Sequence, residues 1–143
     1  MTWTMRLSRN QPCPCHSGRK AKSCCGPWLQ GGAAPSPVAL MRSRYAAYAL
    51  GMTRYIMETT DPDGPLHEAN RDRWAASIDA FCAATQFEGL TIHAHTEAST
   101  EGAVDFSAQL SVGEEDRSFR EHSRFTKRGG RWLYWGPKPD QSG

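Results

Sequence analysis

Four of the chain's five cysteines fall within the stretch Cys13-Pro14-Cys15-His16-Ser17-Gly18-Arg19-Lys20-Ala21-Lys22-Ser23-Cys24-Cys25. Two close pairs of thiols joined by a short polar loop can converge on one point. Four thiolates converging there would close the tetrahedral shell of a structural Zn²⁺. Thiolates take iron as well, so the residue types leave zinc and iron open. The competing chemistry is oxidation. A Cys13–Cys15 or Cys24–Cys25 bridge would close a very small strained ring, whereas cross-pairs between the two pairs stay open. His16 offers an imidazole as a substitute ligand, but four thiolates already fill the shell. Histidine tolerates positive φ, and a turn position is the simpler reading. Gly18, Gly26 and Pro27 supply the turn residues that a tight ligand loop needs. The segment is too short for a core of its own, so a metal must provide its folding energy. Cys82 lies far away in a helical pattern and reads as a small core residue.

Charge is distributed unevenly around this stretch. The first 57 residues carry eight bases (Arg6, Arg9, Arg19, Lys20, Lys22, Arg42, Arg44 and Arg54) and no acid, against nine bases and fifteen acids in the rest and +2 overall. Such asymmetry suggests an acidic partner, either RNA or an acidic protein surface. The plainer reading is that Arg19, Lys20 and Lys22 balance an anionic four-thiolate centre while the other bases lie on solvated helix faces. No apolar run of about 18 residues is present, so no membrane-spanning helix is expected. The opening residues lack the apolar stretch of a signal peptide. A cytoplasmic location is therefore expected, where clustered thiols stay reduced and favour metal over disulfide.

With 143 residues and 38% hydrophobic content, the chain can build one ordinary core with a small appendage. Residues 1–12 are short and polar, and extended or frayed backbone is expected there. Residues 1–30 read as the cysteine module and residues 31–143 as the main domain, with 28–36 as the linker. Ser36 followed by Pro37 marks a helix start. Val38, Met41, Tyr45, Tyr48 and Met52 then recur at helical spacing, with Arg42 and Arg44 off the stripe. Gly51 divides this helix from a second one reaching about Thr60. Residues 61–65 form a turn. A further helix from about Asn70 to Thr85 places Trp74, Ile78, Phe81 and Cys82 on one face.

Strand patterns follow. Leu90, Ile92 and Ala94 alternate with Thr91, His93 and His95 after Gly89 ends the connection. The paired histidines invite a metal, but no acid or cysteine at ligand spacing supports one, so an exposed strand face is expected. A strand over 103–112, a turn over 113–116, a strand over 117–128, a hairpin at Gly129-Gly130 and a last strand over 131–136 complete the chain. Helices followed by an antiparallel meander make an α+β layout, with helices packed on a curved sheet.

Within that meander Glu121 is the sharpest chemical candidate. It shares a strand face with Phe119, Ser123 and Phe125, which places a carboxylate on the apolar side. A desolvated carboxylate can act as a general base, and Ser123 and Trp132 are candidates for the same pocket. The structural alternative pairs Glu121 with a buried Arg42 or Arg44. No Ser/His/Asp triad, phosphate-cradling Gly-rich loop or paired-carboxylate motif appears, so binding is expected rather than catalysis.

The cysteine stretch resembles the SEC-C motif, a zinc-binding element, through Cys13-Pro14-Cys15, Ser17-Gly18, Arg19-Lys20 and Cys24-Cys25-Gly26. His16 stands where the motif usually has glycine, and all four ligand positions are intact. Residues 40–48 (Leu-Met-Arg-Ser-Arg-Tyr-Ala-Ala-Tyr), Glu121-His122-Ser123-Arg124-Phe125 and Gly130-Arg131-Trp132-Leu133-Tyr134 are similar to the YchJ-like family of small bacterial SEC-C proteins. Arg120 departs from the family, which more often has His before the Glu. The resemblance implies a nuclear transport factor 2-like cone behind a SEC-C module with Zn²⁺ on Cys13, Cys15, Cys24 and Cys25. It brings no established activity. SEC-C elements elsewhere imply contacts with the ribosome or with a chaperone.

Overall fold

The computed structural model describes residues 8–138. The expectation for the first twelve residues therefore lies partly outside the described residues. The chain runs through a 3₁₀ turn (Ala21–Ser23), α1 (Gly26–Leu29), α2 (Pro37–Leu50), α3 (Thr53–Glu58) and α4 (Arg71–Ala84). It continues through β1 (Gln86–Glu97), β2 (Glu101–Val112), β3 (Glu115–Asp116), β4 (Phe119–Arg128) and β5 (Arg131–Pro137). All strand pairs are antiparallel, in the order β1-β2-β4-β5, with the short β3 added to β2.

α2 organises the fold, and its ends follow from its sequence. Ser36 accepts a hydrogen bond from the Ala39 N–H at 3.1 Å, Pro37 takes the first helical position, and Gly51 closes the helix in the left-handed region at φ 72°. The helix contacts α1, α3 and α4 as well as β1, β2 and β5. That cover explains why burial goes beyond the expected stripe: Leu40, Ser43, Arg44, Ala46, Ala47 and Leu50 are buried along with Met41 and Tyr45. Arg44 is 4% exposed, which excludes the solvated face and agrees with the buried arginine of the structural alternative. It survives there because its Nη1 donates to the Ile56 carbonyl (3.0 Å), Thr59 Oγ1 (2.7 Å) and Thr60 Oγ1 (3.1 Å) at the end of α3.

Other details differ from the sequence reading for local reasons. The expected linker begins as α1, and Leu29 and Ala34 join the hydrophobic core. β1 starts at Gln86 and runs through Gly89, where the register with β2 shifts between Phe87 and Gly89. Gly89 thus marks a bulge inside a strand, a known use of strand glycine. Any side chain there would press on Gln109, with a Cβ only 2.7 Å from Oε1. Glu115 and Asp116 pair with Val112 and Ser111, which shrinks the 113–116 turn to Gly113-Glu114. Gly129 and Gly130 both have positive φ, 56° and 78°, as a two-residue hairpin requires. On α4 only Trp74 and Ile78 are buried, while Phe81 remains 41% exposed.

The segment after α3 is stitched to the sheet. The Asp61 N–H donates to the Tyr134 carbonyl at 2.8 Å, and the Tyr134 N–H donates to the Thr59 carbonyl at 2.7 Å. The Asp61 side chain is fully buried and accepts from Thr126 Oγ1 (2.6 Å) and the Asp63 N–H (2.8 Å), with Arg128 Nε 3.1 Å away. Burial alone would raise its carboxyl, but these three donors outweigh burial and hold it below the ordinary range.

Candidate metal centre and cavity

The cysteine knot is shaped by its backbone. The Cys13 N–H donates to the Arg19 carbonyl at 2.8 Å and the His16 N–H to the Cys13 carbonyl at 3.1 Å, which folds the loop back on itself. His16 takes φ 62°, the only positive value at a non-glycine among the described residues, as the turn reading requires. The outcome is that the sulfurs of Cys13, Cys15, Cys24 and Cys25 all lie within 4.8 Å of one another. Cys15 and Cys24 are separated by 3.6 Å and Cys24 and Cys25 by 3.9 Å. Four sulfurs at Zn–S distances of about 2.3 Å stand roughly 3.8 Å apart around a tetrahedron. A disulfide would need about 2.05 Å, and all five cysteines are free. The donor set and its spacing therefore fit a four-thiolate metal centre.

The surroundings favour negative charge on the Cys15 sulfur and disfavour it on Cys13 and Cys25. Contact with Cys13 and then Cys25 pulls the Cys15 thiol far below its ordinary range, while contact with Cys15 pushes Cys13 up. Arg42 Nη1 points at Cys15 Sγ from 3.8 Å, and Ser17 Oγ lies 3.2 Å from Cys24 Sγ. His16 is not turned to the sulfurs. Its Nε2 meets the Phe87 carbonyl at 3.1 Å and its ring packs edge-on against Tyr45. Tyr45 in turn accepts the Gly89 N–H at 3.0 Å. Backbone groups beside the β1 bulge thus dock the knot and α2 together.

Arg19, Lys20 and Lys22 are exposed and enter none of the ion pairs among the described residues. Three other bases of the acid-free segment have partners within the protein. Arg42 faces the sulfurs, Arg44 is buried, and Arg54 lies 3.7 Å from Glu58.

A second site lies between α2 and the sheet, a cavity of about 180 Å³. Met41, Tyr45, Phe87, Phe106, Glu121 and Tyr134 are among its walls. Glu121 makes no ion pair with Arg42 or Arg44, contrary to the structural alternative. Its Oε2 instead accepts from the Tyr134 hydroxyl at 2.6 Å and from the Ser123 hydroxyl. Arg44 is directed away by its bonds to α3, and its guanidinium lies over the Tyr134 ring at 4.5 Å. Burial, followed by the nearby Glu121 charge, pushes the Tyr134 hydroxyl far above its ordinary range, so it remains a proton donor. Trp132, expected at this pocket, is buried elsewhere and lines a separate, larger pocket with Trp28, Leu29 and Arg131. The register explains the difference: Trp132 pairs with Lys127, well along β4 from Glu121. Tyr134 fills the role instead, and its alternation with Trp132 on β5 was the available signal. His93 and His95 are exposed, as expected, and His93 Nε2 meets Ser107 Oγ at 2.7 Å.

An antiparallel sheet backed by helices, with a four-cysteine knot folded onto its first helix, defines a nuclear transport factor 2-like domain carrying a SEC-C module. The chain matches the domain described as YchJ, middle NTF2-like domain, over residues 36–137, and the SEC-C motif over residues 9–27. It is 38% identical to a UPF0225 protein of Pectobacterium carotovorum, over 87% of this chain and 81% of that protein. It is 39% identical to a UPF0225 protein of Chromobacterium violaceum, over 85% and 88% respectively. The solution structure of a SEC-C motif containing protein from Rhodopseudomonas palustris superposes with a TM-score of 0.78 at 37% identity, covering 92% of this chain and 100% of that one. A crystal structure of a SEC-C motif containing protein from Psychrobacter arcticus gives 0.75 at 25% identity, covering 94% and 86%. The chain belongs to the YchJ-like family of SEC-C proteins.

Proposed function

We propose that the protein is a cytoplasmic docking module. A Zn²⁺ held by Cys13, Cys15, Cys24 and Cys25 fixes a loop that presents Arg19, Lys20 and Lys22 to the phosphates of an RNA, ribosomal RNA included. A closed tetrahedral shell of four thiolates suits a structural metal, and zinc is preferred over iron here from the likeness to the SEC-C motif. The observation that carries the reading is the exposure of these three bases outside every ion pair among the described residues, while Arg42, Arg44 and Arg54 of the same segment are engaged within the protein. Reduced, clustered thiols support the cytoplasmic location. No helix among the described residues is long and apolar enough to cross a membrane.

Phosphate docking has a measurable signature. Each contact releases counterions, so log affinity falls linearly with log salt, with a slope of about −0.7 per phosphate on single strands. Binding of labelled ribosomal RNA fragments to the full chain, measured across a salt series, is expected to show this slope. Lys20→Ala with Lys22→Ala is expected to reduce its magnitude by about 1.4, with the melting temperature unchanged. An unaltered slope would overturn the reading. Salt-sensitive capture of an acidic protein, with no RNA binding, would replace RNA by that partner.

A further inference from the structure

The described residues with large, markedly exposed apolar side chains are Leu66, Phe81 and Phe119, at 42%, 41% and 43% exposure. They come from the loop before α4, from α4 and from β4, yet all three line the cavity that holds Glu121. Exposed apolar groups scattered singly need no explanation, but convergence of three on one opening marks a binding surface. Inside, the walls are mostly aromatic. Tyr45 and Phe81 each meet Phe87 edge-on, and Phe106 meets Phe119 in the same way. Edge-to-face packing holds the rings in place and leaves space between them. Apolar cavities of about 150 Å³ accept a benzene-sized ring, so 180 Å³ suits a compact molecule of one or two rings.

The polar end sets the head group. On Glu121, Oε2 takes both the Tyr134 and the Ser123 hydroxyls, and Oε1 accepts from no donor among the described residues. The group left for a ligand there is an acceptor. Arg44 lines the same cavity, its guanidinium spread over the Tyr134 ring. One cation and one anion together make the polar end close to neutral. A cationic head would face Arg44, and an anionic head would face Glu121.

We propose that this cavity binds a small, uncharged ring compound carrying a hydrogen-bond donor, with the ring against Phe87 and Phe106 and the donor on Glu121 Oε1. The proposal does not rest on the RNA-docking reading and stands whether or not the basic loop binds RNA.

Four one-ring probes test it by NMR titration of the full chain: phenol, toluene, benzylamine and benzoate. Phenol is expected to saturate and to shift the ring resonances of Phe81, Phe119 and Tyr134. Toluene, lacking the donor, is expected to bind about tenfold more weakly, which corresponds to one hydrogen bond of about 1.4 kcal/mol. The charged probes are expected to be at least as weak as toluene. Glu121→Leu is expected to abolish the preference for phenol over toluene. Because that variant alters a partly buried network, Phe119→Arg provides a second arm at an exposed position. It is expected to leave the fold unchanged and to weaken phenol at least fivefold. The proposal is overturned if no probe saturates in the millimolar range, if toluene binds as tightly as phenol, if either charged probe binds more tightly than phenol, or if Phe119→Arg leaves phenol affinity unaltered.

Discussion

In the N-terminal knot four cysteine sulfurs lie within 4.8 Å of one another, whereas at the mouth of the cone Leu66, Phe81 and Phe119 stand around open space. The knot is short and its thiolates would repel once ionised, so a metal is expected to keep its shape. The cavity's walls are fixed by what lies behind them: the α2 backbone, the β1–β2 ladder and the hydrogen bonds of Tyr134. One region is expected to need an occupant in order to fold. The other is folded first and is then available to an occupant.

The largest effect that would separate them is loss of the metal. Chelation, or Cys15→Ser, is expected to melt residues 13–25 in NMR spectra while the sheet amides stay protected. The melting temperature is expected to fall by about 10 °C or more, since binding to structural zinc sites is itself folding energy. An unchanged melting temperature would mean that the knot is held by its backbone alone.

Next in size is Asp61, on the cone side. Asp61→Ala leaves the Thr126 hydroxyl and the Asp63 N–H without their acceptor and removes one of the two carboxylates from Arg128, which keeps Asp63 at 2.7 Å; it is expected to cost about 2–4 kcal/mol in urea unfolding. The same group sets an acid limit. Its folded pKa is lowered, so its contribution is complete above the ordinary aspartate value of about 4 and is lost as pH falls through the lowered value. The variant's stability curve is therefore expected to be flatter than the native one below about pH 4. Parallel curves would contradict this role.

A smaller effect tests whether the two regions are separate at all. His16 touches Tyr45 and the Phe87 carbonyl, and both of those residues line the cavity. Chelation is expected to weaken phenol binding severalfold, read by the same titration, and full independence would break the link. Smallest of all is His16→Gly. Glycine relieves the positive φ but loses the contacts with Phe87 and Tyr45, and opposing terms of about 1 kcal/mol should nearly cancel. A change in melting temperature above about 5 °C would show that one of them dominates.

These regions also differ in how much of them the sequence discloses. The knot was legible because metal ligation needs particular residue types at particular spacing, and Cys13, Cys15, Cys24 and Cys25 carry all of it. The turn at His16, the helix start at Ser36-Pro37 and the Gly129-Gly130 hairpin are equally local rules. The cone's polar network was half legible. Alternation placed Glu121 and Ser123 on one face, and the Gly129-Gly130 hairpin sets their partner Tyr134 opposite Phe125, but the register shift between Arg124 and Phe125 carries no local signal. The solvated face failed for Arg44 because its partners, the Ile56 carbonyl and the Thr59 and Thr60 hydroxyls, arise only where α3 ends, and the buried alternative named Glu121 as its partner instead. Gly89 read as a boundary because a bulge is visible only once β2 lies alongside.

The account rests most directly on what the four cysteines hold. Native mass spectrometry of the full chain, purified under reducing conditions without chelator, tests this. One zinc per chain is predicted, with the metal absent from Cys15→Ser. Iron in its place, or a metal-free chain with Cys13, Cys15, Cys24 and Cys25 joined as disulfides, would contradict it.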